Sequence, residues 1–358
     1  MNENERLSLR KQMTLDEKIG MVHGTGLFHT QGIPRLNIPP LVMDDGPSGV
    51  RQEFENGEWE PINDGSDYVS WLPSNTCLTA TWNPELAFDY GDVLGSEARG
   101  RGKDVILAPG INIRRTPVCG RNFEYMSEDP YLTDKIAEPL IQGIQQNDVA
   151  ACVKHFALNN QEHERMTYEA FVDERTLNEL YLPAFYGACM NAQSYSLMAS
   201  YNRYQGSHVC ESKELLQNIL RDQWHYDGTV ISDWGGVHNT KDSANNGLDI
   251  EMSVTDNFDD YYFARPLKEA IEKGEVSEAV LDEKVDRILL LMDCLKMLEG
   301  DRKAGTYNSF DHQDKIQKIA EEGIVLLKNE TNHLPLSKNV KKIAVIGDNA
   351  TRTHAASL

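Results

Sequence analysis

The sequence has 358 residues, enough for one large barrel or for two domains of ordinary size. Hydrophobic residues make up 40% and charged residues 25%, which is the balance of a globular protein rather than a disordered one. With 35 lysines and arginines against 56 aspartates and glutamates, the net charge is −21. Such a charge repels phosphate backbones, which argues against a nucleic-acid partner, and it suits a neutral substrate such as a sugar.

The first residues and the apolar runs carry no signal for export or membrane insertion. Residues 1–5, Met-Asn-Glu-Asn-Glu, lack a basic segment, and the sequence contains no run of eighteen apolar residues. The six cysteines are scattered and form no CxxC pair, which disfavours a disulfide framework or a zinc knuckle. We therefore expect a cytoplasmic protein without membrane contact and without a bound metal.

Taken in chain order, short apolar runs alternate with longer segments of helical periodicity, the pattern of an α/β protein. A helix is predicted after Asn83, which can cap it, with Pro84 in the first turn and Gly100 near the end. Strands are predicted over residues 41–43, 105–108, 150–153, 196–199, 229–231 and 248–252. Further helices are predicted over residues 134–146, 174–192, 213–224 and 276–297.

The last sixty residues differ in character from the rest. Residues 298–340 are more polar and predict a linker, followed by a connecting helix over about 313–328. Residues 341–347, Lys-Lys-Ile-Ala-Val-Ile-Gly, predict a buried strand that ends in a turn. The expected division is a catalytic barrel over 1–297, the linker and helix over 298–340, and over 341–358 the first strand of an α/β sandwich domain that this sequence carries only in part.

The positions of polar residues favour a barrel over an open sheet. No GxGxxG follows the first predicted strand, so a dinucleotide-binding sheet is disfavoured. A (β/α)8 TIM-like barrel builds its active site at the carboxyl ends of its strands. Four predicted strands are followed there by polar or aromatic pairs, namely Asp44-Asp45, Lys154-His155, Tyr201-Asn202 and Asp233-Trp234. We predict such a barrel, although only six of its strands are visible in the sequence.

Residues 230–236, Val-Ile-Ser-Asp-Trp-Gly-Gly, contain the most specific candidate. A carboxylate at the end of a buried strand can attack an anomeric carbon, and it stabilises the oxocarbenium-like transition state that precedes the covalent bond. Asp233 fits this role, and Trp234 offers a flat apolar face for a sugar ring. The alternative is that Asp233 only caps the next helix.

Other candidates at the strand ends also have two interpretations. Lys154 and His155 supply donors for sugar hydroxyls, or else Lys154 faces solvent and His155 is satisfied in the core. Arg121 is a rigid fork for vicinal hydroxyls, or else it forms an ion pair with Glu124 or Glu128. Asp45 accepts hydrogen bonds from hydroxyls, or else it holds the turn over residues 46–49.

Other kinds of catalytic site find little support. His163-Glu164 begins an HExxH-like string, but Thr167 stands where the second histidine is needed, which excludes a zincin. The sequence contains no P-loop and no GxSxG elbow.

Eight segments then follow one another in a fixed order: residues 13–19, 45–51, 120–124, 127–130, 154–156, 200–202, 232–234 and 322–329. Together they resemble glycoside hydrolase family 3 of the β-glucosidase type. The resemblance implies a retaining exo-acting enzyme that needs no cofactor and removes terminal β-glucosyl residues from oligosaccharides or from aryl and alkyl glycosides. A hexosaminidase subgroup carries Lys-His-Phe-Pro-Gly-His-Gly, whereas residues 157–160 here are Ala-Leu-Asn-Asn, so glucosides come first.

The resemblance also assigns roles to residues. It makes Asp233 the nucleophile and Trp234 a wall of the pocket for the terminal sugar. Met198 and Tyr201, which taken singly fit the core, join that pocket. Its full membership by this criterion is Asp45, Arg51, Arg121, Lys154, His155, Met198, Tyr201 and Trp234. The general acid/base, a glutamate, is expected from the second domain of the same parent chain, so the barrel alone is expected to be nearly inactive; assembly into homo-oligomers stays open.

Three alternatives remain at this point. The first is a β-xylosidase or arabinosidase of the same family, because the named residues bind hydroxyls that these sugars share. The second is a non-catalytic sugar-binding barrel whose pocket is never completed by an acid/base. The third is a lyase or aldolase in which Lys154 forms a Schiff base.

Overall fold

The computed structural model describes residues 2–54, 59, 60, 62 and 70–351. The strands in this part of the chain are β1 (Gly24–Gly26), β2 (His29–Thr30), β3 (Met43–Asp45), β4 (Val105–Leu107), β5 (Ala150–Phe156), β6 (Glu169–Ala170), β7 (Ser196–Ala199), β8 (Arg203–Tyr204), β9 (Ser207–His208) and β10 (Thr229–Ser232). The α-helices are α1 (Glu3–Arg10), α2 (Leu15–Met21), α3 (Asn75–Ala80), α4 (Pro84–Gly100), α5 (Pro130–Gln145), α6 (Glu174–Thr176), α7 (Pro183–Tyr186), α8 (Thr240–Asn245), α9 (Arg265–Glu272), α10 (Glu278–Cys294) and α11 (Phe310–Glu322). In this part of the chain, no helix is both long enough and apolar enough to cross a membrane.

Five parallel strands form the main sheet, in the order β10-β7-β5-β4-β3. Every residue of β4, β5, β7 and β10 is buried. Strands that are covered on both faces must be apolar on both, which is why they appear in the sequence as continuous runs of valine, isoleucine and alanine. Because the strands are parallel, their carboxyl ends meet at one edge.

The pairing continues beyond this sheet until it returns to its start. Ile231 of β10 pairs with Ile250, and the next residue, Glu251, pairs with His23, both in parallel. The chain then turns back from β1 into antiparallel β2, and His29 pairs in antiparallel fashion with Val42 beside β3. The predicted TIM-like α/β barrel is thus confirmed, with a β-hairpin in place of one strand–helix unit.

Close helix packing fixes the positions of the central strands. Helices α4 and α5 lead into β4 and β5, and they touch through glycines. A Cβ atom at Gly91 would lie 2.0 Å from the carbonyl oxygen of Leu140, and one at Gly143 would lie 2.3 Å from that of Phe88. Only glycine allows the two backbones to approach this closely.

Two of the predicted helices are irregular in the structure. The segment predicted as one helix over 174–192 is a run of α and π turns, with π-helical stretches at Leu177–Tyr181 and Gly187–Asn191 on either side of α7. The segment Lys213–Gln223 is also π-helical. Pro183 cannot donate the backbone hydrogen bond that a regular helix needs at its position, which explains the first interruption.

The predicted strand at 341–347 is wrong: these residues form no strand, and Ile343, Val345 and Ile346 are largely exposed. A strand needs a neighbour to satisfy its backbone groups, and none of the described strands pairs with this segment. The preceding helix, α11, ends at Glu322 rather than near 328. The domain boundaries at 297 and 340 stay predictions, and residues 352–358 lie outside the described part.

Candidate active site

The irregularity of β5 brings two neighbouring residues into one site. In a regular strand, successive side chains point to opposite faces, so only one of Lys154 and His155 would face the barrel interior. The register of β5 against β7 shifts between Val153 and Phe156, and Lys154 pairs instead with Gly110. Such local irregularities re-aim side chains next to active sites. Lys154 reaches Asp45 and His155 reaches Asp233, as their contacts show.

Asp233 follows β10 and is 7% exposed. Its backbone N–H donates to the Ala199 carbonyl at 2.9 Å, and its Oδ1 accepts from the Trp234 N–H at 2.8 Å. Its Oδ2 is buried, and no donor in the described part of the chain hydrogen-bonds to it. No helix starts here, since α8 is capped by Asn239, so the helix-cap interpretation of Asp233 is wrong.

The charge on Asp233 is set by opposing effects. Burial raises the pKa of Asp233 above the ordinary range of an aspartate, while the positive charges of Arg121 and Lys154 oppose the rise. A carboxylate in this position is poorly solvated, has one oxygen without a hydrogen-bond donor and experiences nearby positive charges. Buried carboxyls with perturbed pKa values are typical of functional sites.

His155 belongs to a hydrogen-bonded chain that defines where its proton lies. Arg121 donates from its guanidinium to His155 Nε2 at 2.8 Å. The ring therefore carries its proton on Nδ1, which lies 3.2 Å from the Tyr125 hydroxyl, and that hydroxyl donates to the Asn159 carbonyl. Burial, together with the charges of Arg121 and Lys154, holds the pKa of His155 well below its usual range. His155 is thus a neutral ring, with Nε2 3.6 Å from Asp233 Oδ2.

Arg121 forms the ion pair with Glu124 that was one of its two interpretations, and its role toward sugar hydroxyls stays a prediction. Its Nε donates to Glu124, a fully buried carboxylate, while its other arm reaches His155. Burial lowers the pKa of Arg121, but the interactions with Glu124, Tyr125 and Asp233 together raise it well above its usual range. The ion pair with Glu124 therefore holds the guanidinium rigidly next to the candidate nucleophile.

Lys154 and Asp45 form an ion pair in which the lysine is buried and the aspartate is partly exposed. The Lys154 ammonium donates to Asp45 Oδ1 at 2.7 Å, and the Gly46 N–H donates to the same oxygen at 2.9 Å. Burial would raise the pKa of Asp45, but Lys154 and the more distant Arg51 and Arg121 lower it below the ordinary range. The lysine side chain is only 3% exposed, so the interpretation of Lys154 as a solvent-facing residue is wrong.

Arg51 lies against an aromatic surface. Its guanidinium carbon is 3.9 Å from the centroid of the Phe28 ring and 4.2 Å from that of Phe54. It also donates to Asp44 at 3.2 Å, and its backbone N–H donates to the Asp45 carbonyl. The structure therefore connects Arg51 to the site through this stacking and through the turn that carries Asp45.

Tyr201 and Trp234 are joined directly. The Tyr201 hydroxyl donates to the Trp234 carbonyl at 3.0 Å, and the guanidinium of Arg165 lies 5.0 Å from the Tyr201 ring. The Trp234 indole N–H donates to the Leu27 carbonyl at 2.8 Å, and its ring stacks on Phe28 at 5.1 Å.

Met198 lies apart from these hydrogen bonds. It is a buried core residue in β7, opposite Ile231. The core interpretation of Met198 therefore fits the structure.

The structure adds residues that the sequence did not indicate. Asn112 clamps the peptide of His155, since its Oδ1 accepts from the His155 N–H at 2.7 Å and its Nδ2 donates to the His155 carbonyl at 2.9 Å. The Tyr125 hydroxyl lies 3.2 Å from His155 Nδ1, the nitrogen that carries the proton. Phe28 and Arg165 pack on the predicted Trp234 and Tyr201. Asn112 lies five residues after the end of β4 at Leu107, and this position beyond a strand end was a usable signal for it.

Comparison with known proteins identifies the family. Residues 34–291 match the glycosyl hydrolase family 3 N-terminal domain, and residues 324–357 match the glycosyl hydrolase family 3 C-terminal domain. The chain belongs to glycosyl hydrolase family 3. The resemblance seen in the sequence motifs is therefore confirmed.

Among curated family 3 proteins, β-glucosidase BoGH3A of Bacteroides ovatus is 44% identical over 357 residues, which span 95% of this chain and 48% of that protein. Thermostable β-glucosidase B of Acetivibrio thermocellus is 41% identical over 337 residues, 94% of this chain and 44% of that protein. The chain thus spans about half the length of the curated relatives it matches.

Solved family 3 structures share the fold. β-Glucosidase 3B from Thermotoga neapolitana in complex with glucose superposes with a TM-score of 0.86 at 35% identity, covering 94% of this chain and 49% of that one. DesR, a β-glucosidase from Streptomyces venezuelae in complex with D-glucose, gives 0.85 at 36% identity, covering 93% and 43%.

Proposed function

We propose that this chain carries the nucleophile and the donor-sugar pocket of a retaining β-glucosidase. The observation that carries the proposal is Asp233 Oδ2, a buried carboxylate oxygen without a hydrogen-bond donor, next to the two fixed cations Arg121 and Lys154. A buried polar atom left unpaired costs free energy. Asp44 and Glu124 also have such an oxygen, but each forms an ion pair with an arginine, whereas Asp233 Oδ2 lies 3.6 Å from Nε2 of the neutral His155. Its retention at a strand end of the barrel therefore points to use in a reaction. The relatives named β-glucosidases support the choice of sugar.

The reaction proceeds in two balanced steps. Asp233 Oδ2 forms a bond to the anomeric carbon while the glycosidic C–O bond breaks, and a general acid protonates the leaving oxygen. Water then attacks the anomeric carbon, gives its proton to the conjugate base of that acid and releases Asp233. We propose that the acid/base comes from the C-terminal domain of the family, whose match begins at residue 324.

The other charged groups orient the sugar. Asp45, held anionic by Lys154, accepts hydrogen bonds from hydroxyls, while the ammonium and guanidinium groups donate to them. His155 does not give a proton to Asp233, because the His155 ring is neutral and its Nε2 already accepts a hydrogen bond from Arg121. The ion pair of Lys154 with Asp45 also argues against a Schiff-base lysine, because the Lys154 nitrogen is already held by the Asp45 carboxylate at 2.7 Å.

Substitution of Asp233 tests the nucleophile. In a chain that carries the complete C-terminal domain, Asp233→Asn should lower kcat on 4-nitrophenyl β-D-glucoside by roughly 10⁴-fold or more, because the covalent step is lost. Asp242→Asn, an exposed aspartate on α8, is the control and should keep wild-type kcat. Near wild-type turnover by Asp233→Asn would refute the assignment of the nucleophile. If the wild-type protein had a higher kcat/KM on the xyloside or the arabinoside than on the glucoside, the proposed substrate sugar would be wrong.

A further inference from the structure

A buried glutamate connects helix α11 to helix α4. Glu97 lies on α4 with no exposed surface, and its Oε1 accepts from Nδ1 of His312 on α11 at 3.0 Å. The same oxygen accepts from the backbone N–H of Asn308, just before α11, at 3.0 Å. Burial raises the pKa of Glu97, but the hydrogen bonds that it accepts, that from His312 first, lower it below the ordinary range. Glu97 is therefore a buried anion that depends on its donors.

The other donors to Glu97 come from Ser70. The Ser70 hydroxyl donates to Oε1 at 2.5 Å, and the Ser70 backbone N–H donates to Oε2 at 3.2 Å. Glu97 thus accepts four hydrogen bonds, two from Ser70 and two from α11 and the residue before its cap. Hydrogen bonds to an ionised acceptor are about twice as strong as those between neutral groups. One carboxylate therefore fixes Ser70 relative to α11.

The backbone around Ser70 packs directly against the turn that carries Asp45. A Cβ atom at Gly49 would lie 2.5 Å from the Ser70 carbonyl oxygen, so only glycine allows this approach. The backbone N–H of Leu72 donates to the Ser48 carbonyl at 2.9 Å. A displacement of Ser70 would therefore displace the turn, and Asp45 with it.

We propose that Glu97 is a positioning residue for the donor-sugar pocket. It holds Ser70, and through Ser70 the turn that carries Asp45, in the arrangement that exists when α11 is packed on α4. The inference rests on the proposed function, because it takes Asp45 as an acceptor for sugar hydroxyls.

The same contacts connect the pocket to the C-terminal side of the chain. Helix α11 ends at Glu322, and the match to the family's C-terminal domain begins at residue 324. His312 therefore links the helix before that domain to Glu97, and Glu97 links it to the Asp45 turn. Affinity for the donor sugar should depend on these contacts, although they lie on helices and outside the strand ends.

Binding of a donor-site inhibitor separates positioning from a purely structural role. Glucoimidazole fills the donor-sugar pocket, and its Kd is measured by calorimetry on a chain that carries the complete C-terminal domain. Glu97→Met removes all four hydrogen bonds and keeps the side-chain length, so it should raise Kd about tenfold or more. Glu97→Gln keeps one acceptor oxygen and should restore part of the affinity. Ser70→Ala removes only the hydroxyl and should raise Kd by about threefold to tenfold.

Asp92→Leu is the matched control. Asp92 also lies on α4 and also binds α11, through an ion pair with Lys315 at 2.9 Å. The variant alters the same pair of helices at a contact that does not involve Ser70. It should therefore leave the Kd of glucoimidazole unchanged, even where it lowers Tm.

A double variant tests the link to α11. His312→Ala should raise Kd in the same direction as Ser70→Ala. Because both act through Glu97, the double variant should raise Kd by less than the product of the two single factors. A Kd that equals this product, or a His312→Ala variant that binds as tightly as wild type, would contradict the link.

The outcomes distinguish the inference from the proposed function. Wild-type Kd in Glu97→Met, with a lowered Tm, would mean that Glu97 only holds the helices together and would overturn the inference. If Glu97→Met does not fold, wild-type Kd in Ser70→Ala overturns it in the same way. If the wild-type protein did not bind glucoimidazole, the proposed function would fail first, and the role of Glu97 with it.

Discussion

The pKa values of two carboxylates at the strand ends are shifted in opposite directions by their surroundings. Burial raises the pKa of Asp233, while Lys154 holds the pKa of Asp45 below its usual range despite burial. Asp45 therefore stays anionic over a wide pH range and suits a permanent acceptor for hydroxyls. Asp233 is the more basic and less solvated of the two, which suits a group that must form and then release a covalent bond.

The pH profile should report this arrangement. As the proposed nucleophile, Asp233 must be ionised to attack, so under this proposal the acidic limb of kcat/KM follows the pKa of Asp233. Because the Lys154 charge lowers that pKa, Lys154→Gln should move the acidic limb to higher pH. It should also lower kcat/KM by about 10–100-fold through lost charged hydrogen bonds. Rates measured from pH 4 to 8 test this, with exposed Lys213→Gln as control; an acidic limb that stays in place or moves down would contradict it.

For single residues, the sequence indicated the site residues that directly follow strand ends. It missed the residues that contact them only in the folded barrel. Asp233, Lys154 and Asp45 stand directly after apolar runs, so the barrel rule finds them. Phe28 lies in a hairpin without an apolar run, and Arg165 lies in a loop. Their contacts with Trp234 and Tyr201 depend on closure of the ring, which no local pattern encodes.

Among the elements, the segment after β10 closes the barrel. Glu251 pairs with His23 to close the ring, and its carboxylate accepts from the backbone N–H groups of Phe263 and Tyr262. The same segment continues into Val254. Burial raises the pKa of Glu251 to about 8. One carboxyl thus joins the two ends of the loop over residues 251–263.

Stability should depend on the protonation of Glu251. Between the ordinary glutamate pKa and about 8, the native state retains a proton that the unfolded state releases, so the free energy of unfolding falls as pH rises. Glu251→Gln removes this loss. Its advantage over wild type should grow between pH 5 and pH 8, on the order of 2–4 kcal/mol. Urea unfolding at both pH values measures the difference; an advantage independent of pH would contradict the assignment.

Prediction of strands succeeded where the sequence has a clear apolar run. It failed where strand formation depends on a neighbouring strand. The run at 196–199 is strand β7 without any change of bounds, and 105–108 and 229–231 are off by one residue. The short hairpin of β1 and β2 has no such run and was missed. Residues 341–347 have the right composition for a strand, but composition alone cannot supply a neighbouring strand.

In the whole molecule, the barrel of paired strands is followed by a C-terminal segment with exposed apolar side chains. After α11, whose His312 contacts Glu97 at 3.0 Å, the chain from 324 to 346 exposes a series of apolar side chains. They include Ile324, Val325, Leu327, Val345 and Ile346. This is the region that matches the family's C-terminal domain, and the chain spans about half of its relatives' length.

Hydrogen exchange should separate these two parts. Amides of β5 and β7, buried and paired on both sides, should stay protected for hours, while amides of residues 341–347 in this chain should exchange within seconds. Mass spectrometry of peptides from a deuterium pulse measures both. Protection of 341–347 comparable to that of β5 would contradict the structure of this segment.

The most direct test of Asp233 as nucleophile uses a substrate that bypasses the general acid. 2-Deoxy-2-fluoro-β-D-glucosyl fluoride has a leaving group that needs little protonation, and its 2-fluoro substituent slows release of the covalent intermediate. After incubation, intact-mass measurement and peptide mapping should show one fluoroglucosyl group on the peptide that contains Asp233. Asp233→Asn should remain unlabelled. A fluoroglucosyl group on any other residue, or labelling that persists in Asp233→Asn, would contradict the assignment.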